Sequence, residues 1–251
     1  MLFIDGHDLT FTAQPDGTHK VVFDVLALTF GDNGQVIDSL SRTHTLTVRA
    51  GTDIAKVIKN GLVYDINVPL KKAGAYQLRV SLRDAATERV GSASQFIEAP
   101  DLKKGRLTLS GLAAAGVTPA RAATTANASN DPGDELRDPE ATPAVRRFHS
   151  GMYLDYGYWI YNAKLDKATK QPQLITQTKL FQDGKEIFVG PARPYEVGAQ
   201  TDLKRLVSGG RIVLGNTLKP GEYVLQVIVT DALAKDKRRV ATQWTDFELV
   251  K

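Results

Sequence analysis

The chain contains one strand-and-turn signature twice. Lys72-Ala73-Gly74-Ala75-Tyr76-Gln77-Leu78-Arg79-Val80 recurs as Lys219-Pro220-Gly221-Glu222-Tyr223-Val224-Leu225-Gln226-Val227, 147 positions later, and both runs lead to an Asp-Ala pair, Asp84-Ala85 and Asp231-Ala232. A repeat of this length implies two copies of one domain. Within it Tyr76, Leu78, Val80 and Leu82 alternate with Gln77, Arg79, Ser81 and Arg83. That is the period of a strand with one buried and one wet face.

The 251 residues leave room for two such domains, each large enough to bury its own core. Hydrophobic content of 42% and charged content of 24% are ordinary for a globular chain, and no apolar run is long enough for a membrane helix. Met1-Leu2-Phe3-Ile4-Asp5 meets an acid too early for the apolar stretch of a signal peptide. The absence of cysteine excludes disulfides, thiolate metal sites and a cysteine nucleophile. Net charge is +4, with the basic excess in the C-terminal half. Lys179, Lys185, Arg238 and Arg239 are scattered along strand-like segments, which fits a solvated sheet face and argues against nucleic-acid binding.

Strand-like runs punctuated by Pro15-Asp16-Gly17, Gly31-Asp32-Asn33-Gly34 and Gln182-Asp183-Gly184 predict hairpins, since Gly, Asn and Asp tolerate the positive φ of tight turns. One short helix is predicted over 52–60, with Thr52-Asp53 as its cap, and a second over 201–210 by alignment of Thr201-Asp202-Leu203 with Thr52-Asp53-Ile54. Asp24 and Asp155 align early in the first long strand of each copy. The predicted layout is a first β-sandwich over 1–100, a strand within 101–112 assigned to the second domain, a flexible acidic Ala/Pro/Thr-rich linker over 113–143, and a second β-sandwich over 144–251. Almost no large apolar side chain occurs in 113–143, so burial there cannot offset the entropy of ordering.

Leu218-Lys219-Pro220-Gly221-Glu222-Tyr223 resembles the tyrosine corner of immunoglobulin and fibronectin type III sandwiches, in which a tyrosine hydroxyl bonds back to the chain just upstream. Tyr76 and Tyr223 are therefore expected as structural residues, and the fold class is expected to be all-β, two tandem immunoglobulin/fibronectin type III-like sandwiches with one short helix each. Several runs extend the likeness: Tyr76–Asp84, Arg89-Val90-Gly91-Ser92-Ala93-Ser94-Gln95-Phe96, Pro100-Asp101-Leu102, Leu107-Thr108-Leu109-Ser110-Gly111, Ala144-Val145-Arg146-Arg147-Phe148 and Tyr161-Asn162-Ala163. Together they resemble the C-terminal region of bacterial von Willebrand factor A-related proteins, the VWFA-related Acidobacterial domain family. The resemblance implies a secreted or periplasmic protein with an A domain upstream. Its metal motif needs Asp-x-Ser-x-Ser, and the nearest run here, Asp38-Ser39-Leu40-Ser41-Arg42, has Leu40 where serine is required. No metal residue is carried over.

No phosphate-binding loop and no Gly-x-Ser-x-Gly elbow occurs, and His7, His19, His44 and His149 lack ligand spacing, although His19 and His44 could approach across one hairpin. The segment Tyr153-Leu154-Asp155-Tyr156-Gly157-Tyr158-Trp159-Ile160-Tyr161 places aromatics on both faces of one strand. Alignment of Trp159 with Leu28 and of Tyr161 with Phe30 assigns that face to the core and leaves Tyr156 and Tyr158 exposed, for a ligand or a neighbouring domain. The expectation is a non-catalytic structural or protein-interaction module with no cofactor, a protein partner, no nucleic acid and no membrane insertion. The alternative is a carbohydrate-binding sandwich that uses Tyr156 and Tyr158 as its platform.

Overall fold

Alternation along one long hairpin organises the first unit. The computed structural model describes residues 1–124, 138–235 and 238–251 and divides into two units, Met1–Asp101 and Leu102–Lys251. In the first, β1 (Leu2–Ile4) and β2 (Thr12–Ala13) precede β3 (His19–Phe30), which turns at Gly31–Gly34 into β4 (Val36–Val48). Then come α1 (Ile54–Asn60), β5 (Leu62–Tyr64), β6 (Gly74–Asp84) and β7 (Val90–Ala99). Antiparallel pairing gives one five-stranded sheet in which β3 lies between β4 on one side and β2 and β6 on the other, with β7 beyond β6. Val21, Phe23, Val25, Ala27 and Thr29 of β3 are all buried. They face the small antiparallel ribbon of β1 and β5, and Ile4, Leu9 and Val80 complete that core. The helix forms where expected, because the Asp53 carboxylate accepts the Ala55 and Lys56 amides at 3.0 and 3.3 Å and Gly61, at φ 69°, ends it.

In the second unit two sheets face each other across a shared core. After β8 (Thr108–Leu109), β9 (Ala113–Val117) and α2 (Pro119–Thr124) come β10 (Arg147–His149) and β11 (Tyr153–Tyr161). These are followed by β12 (Leu174–Gln182), β13 (Lys185–Val189), β14 (Arg193–Pro194), β15 (Arg205–Val213), β16 (Gly221–Asp231) and β17 (Val240–Val250). One sheet has β11 at its centre, flanked by β15 on one side and by β8 and β9 on the other. The other runs β10-β17-β16-β12-β13, with β14 also on β12. Leu154 and Ile160 from the first sheet meet Leu180, Tyr223, Leu225, Val227, Val229 and Phe247 from the second. The fold is all-β, with strand packing on strand as the source of its stability.

The tyrosine-corner bond occurs in both units. Tyr76 Oη donates to the Lys72 carbonyl at 2.8 Å and Tyr223 Oη to the Lys219 carbonyl at 2.6 Å. The repeated aspartates end the same strands and are fully buried. Asp84 accepts the Ala86 amide and the Thr10 and Thr87 hydroxyls, while Asp231 accepts the Leu233 and Lys164 amides. Burial pushes the Asp84 carboxyl up, but the bonds from Thr10, Ala86 and Thr87 together outweigh it and hold the group below the ordinary carboxylate range.

Four sequence expectations need correction. Segment 201–210 is not a helix: after a turn at Asp202–Arg205 it becomes β15, where Gly209 and Gly210 disfavour helix and Leu206 is completely buried. A Cβ on Gly210 would sit 2.4 Å from Tyr156 Oη, so this strand lets an aromatic ring lie across its backbone. The expected linker is structured at both ends. Ala113–Val117 pairs with β11, and the Gly116 amide donates to the Ala141 carbonyl at 2.7 Å. Small side chains there are a steric requirement, since a Cβ on Gly116 would lie within 2.9 Å of Ala141 and Phe148. The part of the expected linker at 125–137 lies outside the described residues.

The third correction concerns strand correspondence. β3 pairs with the tyrosine-corner strand β6, and in the second unit that partner is β12, not β11. Aligning Asp24 with Asp155 therefore joined strands with different neighbours. The fourth follows from it. Tyr158 is only 6% exposed and Tyr156 packs against the core, so neither is a surface platform.

Candidate binding faces

β11 is the central strand of its sheet, so its outward side chains occupy the middle of a broad face. Leu154, Tyr158 and Ile160 point inward, and Tyr153, Asp155, Gly157, Trp159 and Tyr161 alternate with them. The two inward phenols are satisfied internally: Tyr156 Oη lies 2.7 Å from Thr178 Oγ1, and the Ser208 hydroxyl donates to Tyr158 Oη at 3.1 Å. Burial raises the Tyr158 phenol above its ordinary value, with the Ser208 bond acting the other way.

The outward face combines aromatic rings with arginines. Trp159 is 45% exposed, and the Arg205 guanidinium lies 5.8 Å from its ring centroid. At the other end of the strand Arg211 sits 5.1 Å from the Tyr153 ring and forms a bidentate pair with Asp155, at 2.5 and 2.7 Å. The Asp155 carboxylate raises the Arg211 guanidinium still further above its ordinary value. Between the two ends Gly157 presents no side chain, and a Cβ there would meet nothing closer than the Ser208 carbonyl at 3.8 Å. Exposed Val207 and Val213 continue the apolar surface on β15.

The opposite sheet has a face of different character. Trp244 on β17 is 61% exposed and pairs with Gln226 in register. Together with Phe181 and Val224 it lines a shallow depression bordered by the acids Asp183, Glu222 and Asp246. Both tryptophans of the chain thus point away from the core. Sequence reasoning missed them. Trp244 was legible, because it shares its alternation with Asp246 and Glu248 rather than with Phe247 and Leu249. Trp159 was not, because its assignment depended on the strand correspondence corrected above.

His44 and Asp38 have structural partners. His44 stacks on Phe23 at 5.6 Å and bonds Tyr64, and it pairs opposite Phe23 while His19 pairs opposite Val48, four positions along the hairpin. Asp38 forms an ion pair with Lys71 at 2.7 Å. Among the described residues no group of three or more His, Asp or Glu side chains is placed to hold a metal ion. No family model matches the chain, and neither does any curated protein.

Proposed function

We propose that the protein is a non-catalytic interaction module of two immunoglobulin-like sandwiches, and that the second unit holds a protein partner on its outward aromatic faces. One observation carries the reading: both tryptophans are exposed, Trp159 on the central strand β11 beside Arg205 and Trp244 on β17 beside acids. Trp is highly buried on average and, with Tyr and Arg, is enriched where proteins bind one another. The buried Asp84 and Asp231 carboxylates hold loops through hydrogen bonds to Thr10 and Lys164, a structural use of both groups. The resemblance of several runs to VWFA-related proteins would fit an accessory role within an extracytoplasmic protein, where such a surface would meet its partner.

The test is a selection against a displayed protein library, using the wild type and the Trp159→Ala and Trp244→Ala variants at matched melting temperature. Partners lost with one variant support the reading. Retention by both variants, or a fall of several degrees in melting temperature for each, overturns it. A second reading, an extended saccharide on the β11 face, is favoured by the bare Gly157 strip between Trp159 and the Asp155–Arg211 pair. A glycan array on which Trp159→Ala behaves as wild type removes it.

A further inference from the structure

The first unit ends its sheet with an edge strand that lacks the devices usually protecting such edges. Natural proteins blunt edge strands with lysine, proline, bulges or very short length. β7 runs ten residues, Val90-Gly91-Ser92-Ala93-Ser94-Gln95-Phe96-Ile97-Glu98-Ala99, with one charge, no proline and no register shift against β6. Nearly every residue in it is exposed. The opposite edge strand of the same sheet, β4, contains Asp38 and Arg42 and has a register shift against β3.

The second unit shows what pairs with the last three residues of the equivalent edge. Matching the tyrosine corners places Ile97, Glu98 and Ala99 where that unit has Phe247, Glu248 and Leu249, because Tyr76 pairs with Ile97 as Tyr223 pairs with Phe247. There β10 adds parallel to β17, with Arg147 opposite Glu248 and Phe148 opposite Leu249. Arg147 Nε donates to Glu248 Oε2 at 2.8 Å, and Phe148 is completely buried with its ring 5.6 Å from that of Phe247. In the first unit no strand pairs on that edge of β7, and Glu98 has no ion pair, among the described residues.

The geometry points to the free edge of β7 as an acceptor for an extended basic–aromatic segment of another polypeptide. The segment adds as a parallel strand, with its cation on Glu98 and its aromatic ring beside Ile97 and Tyr76. This is strand addition, in which main-chain bonds supply affinity and alternate side chains supply specificity. It goes beyond the aromatic faces, since it concerns the other unit and stands if those faces bind nothing.

The probe is a synthetic peptide of residues 144–151, Ala-Val-Arg-Arg-Phe-His-Ser-Gly, titrated into the intact protein. In the second unit the tethered copy already holds its own site at high effective concentration. Saturable binding with amide exchange slowed at least tenfold within Phe96–Ala99 is expected. Replacing the peptide's Phe by Ala, or Glu98→Lys in the protein, is expected to weaken binding at least tenfold. A peptide with its two arginines changed to glutamate should regain affinity for Glu98→Lys, which separates lost charge pairing from misfolding. No saturable binding, protection confined to β17, or equal affinity of wild type and Glu98→Lys would overturn the proposal. So would concentration-dependent self-association through β7 without peptide, since the edge would then belong to a second copy.

Discussion

Removing a single oxygen from Tyr223 isolates the bond that fixes the crossover between the sheets of the second unit. The Tyr223 side chain is buried, its ring stacks on Phe247 at 5.3 Å, and its hydroxyl donates to the Lys219 carbonyl at 2.6 Å. Tyr223→Phe keeps the ring and its stacking, so the loss is confined to one hydrogen bond and the carbonyl left behind. Lys219 itself is exposed, so water can reach its carbonyl and the loss is the net worth of one hydrogen bond, about 0.5–1.5 kcal/mol. For a unit the size of Leu102–Lys251 that corresponds to a melting temperature lower by about 1–6 °C. Differential scanning calorimetry of the intact protein is the assay, with Tyr76→Phe as the matched perturbation of the first unit, where the equivalent bond is 2.8 Å. Tyr223→Phe should move the transition of the second unit and Tyr76→Phe that of the first. Unchanged melting in both variants would refute the view that these hydroxyls hold the crossovers.

Asp84→Asn should destabilise the first unit by about 1.5–3 kcal/mol at neutral pH, the range for hydrogen bonds to a charged group, as measured by urea unfolding. Because the folded carboxyl sits below its unfolded value, its contribution is complete above the ordinary Asp range near pH ~3.9 and is lost as pH falls through the lower folded value. The wild type should therefore lose stability in acid more steeply than Asp84→Asn. Phe148→Ala should cost about 3–5 kcal/mol, seen in calorimetry as a selective loss of the second unit, because it empties a completely buried site. Gly210→Ala should cost about 1–3 kcal/mol in the same assay by driving the Tyr156 ring away from Thr178.

Local signals in the sequence were reliable where one element determines its own conformation. The repeated Tyr76 and Tyr223 mark two strands because alternation and the upstream bond are short-range properties, and Asp53 marks α1 because capping involves only the next few amides. Pairing partners are not short-range. β3 and β11 both read as a long first strand with an early aspartate, yet one joins the tyrosine-corner sheet and the other the opposite sheet. That single misassignment inverted the faces of β11 and turned buried tyrosines into an expected platform. Residues 113–117 failed for another reason: alanine and glycine contribute little burial, but here they admit a strand against Phe148 and Ala141. The candidate faces were the least legible part, since Trp159, Arg205 and Arg211 converge only through pairing of β11 with β15.

The proposal stands on the outward placement of both indole rings, and quenching of tryptophan fluorescence by acrylamide tests that placement directly. Trp159 and Trp244, at 45% and 61% exposure, should both be quenched efficiently in the folded protein, with little further gain on unfolding in urea. Strong protection of either ring that disappears only on unfolding would mean it belongs to a core, and the aromatic faces would no longer exist as binding surfaces.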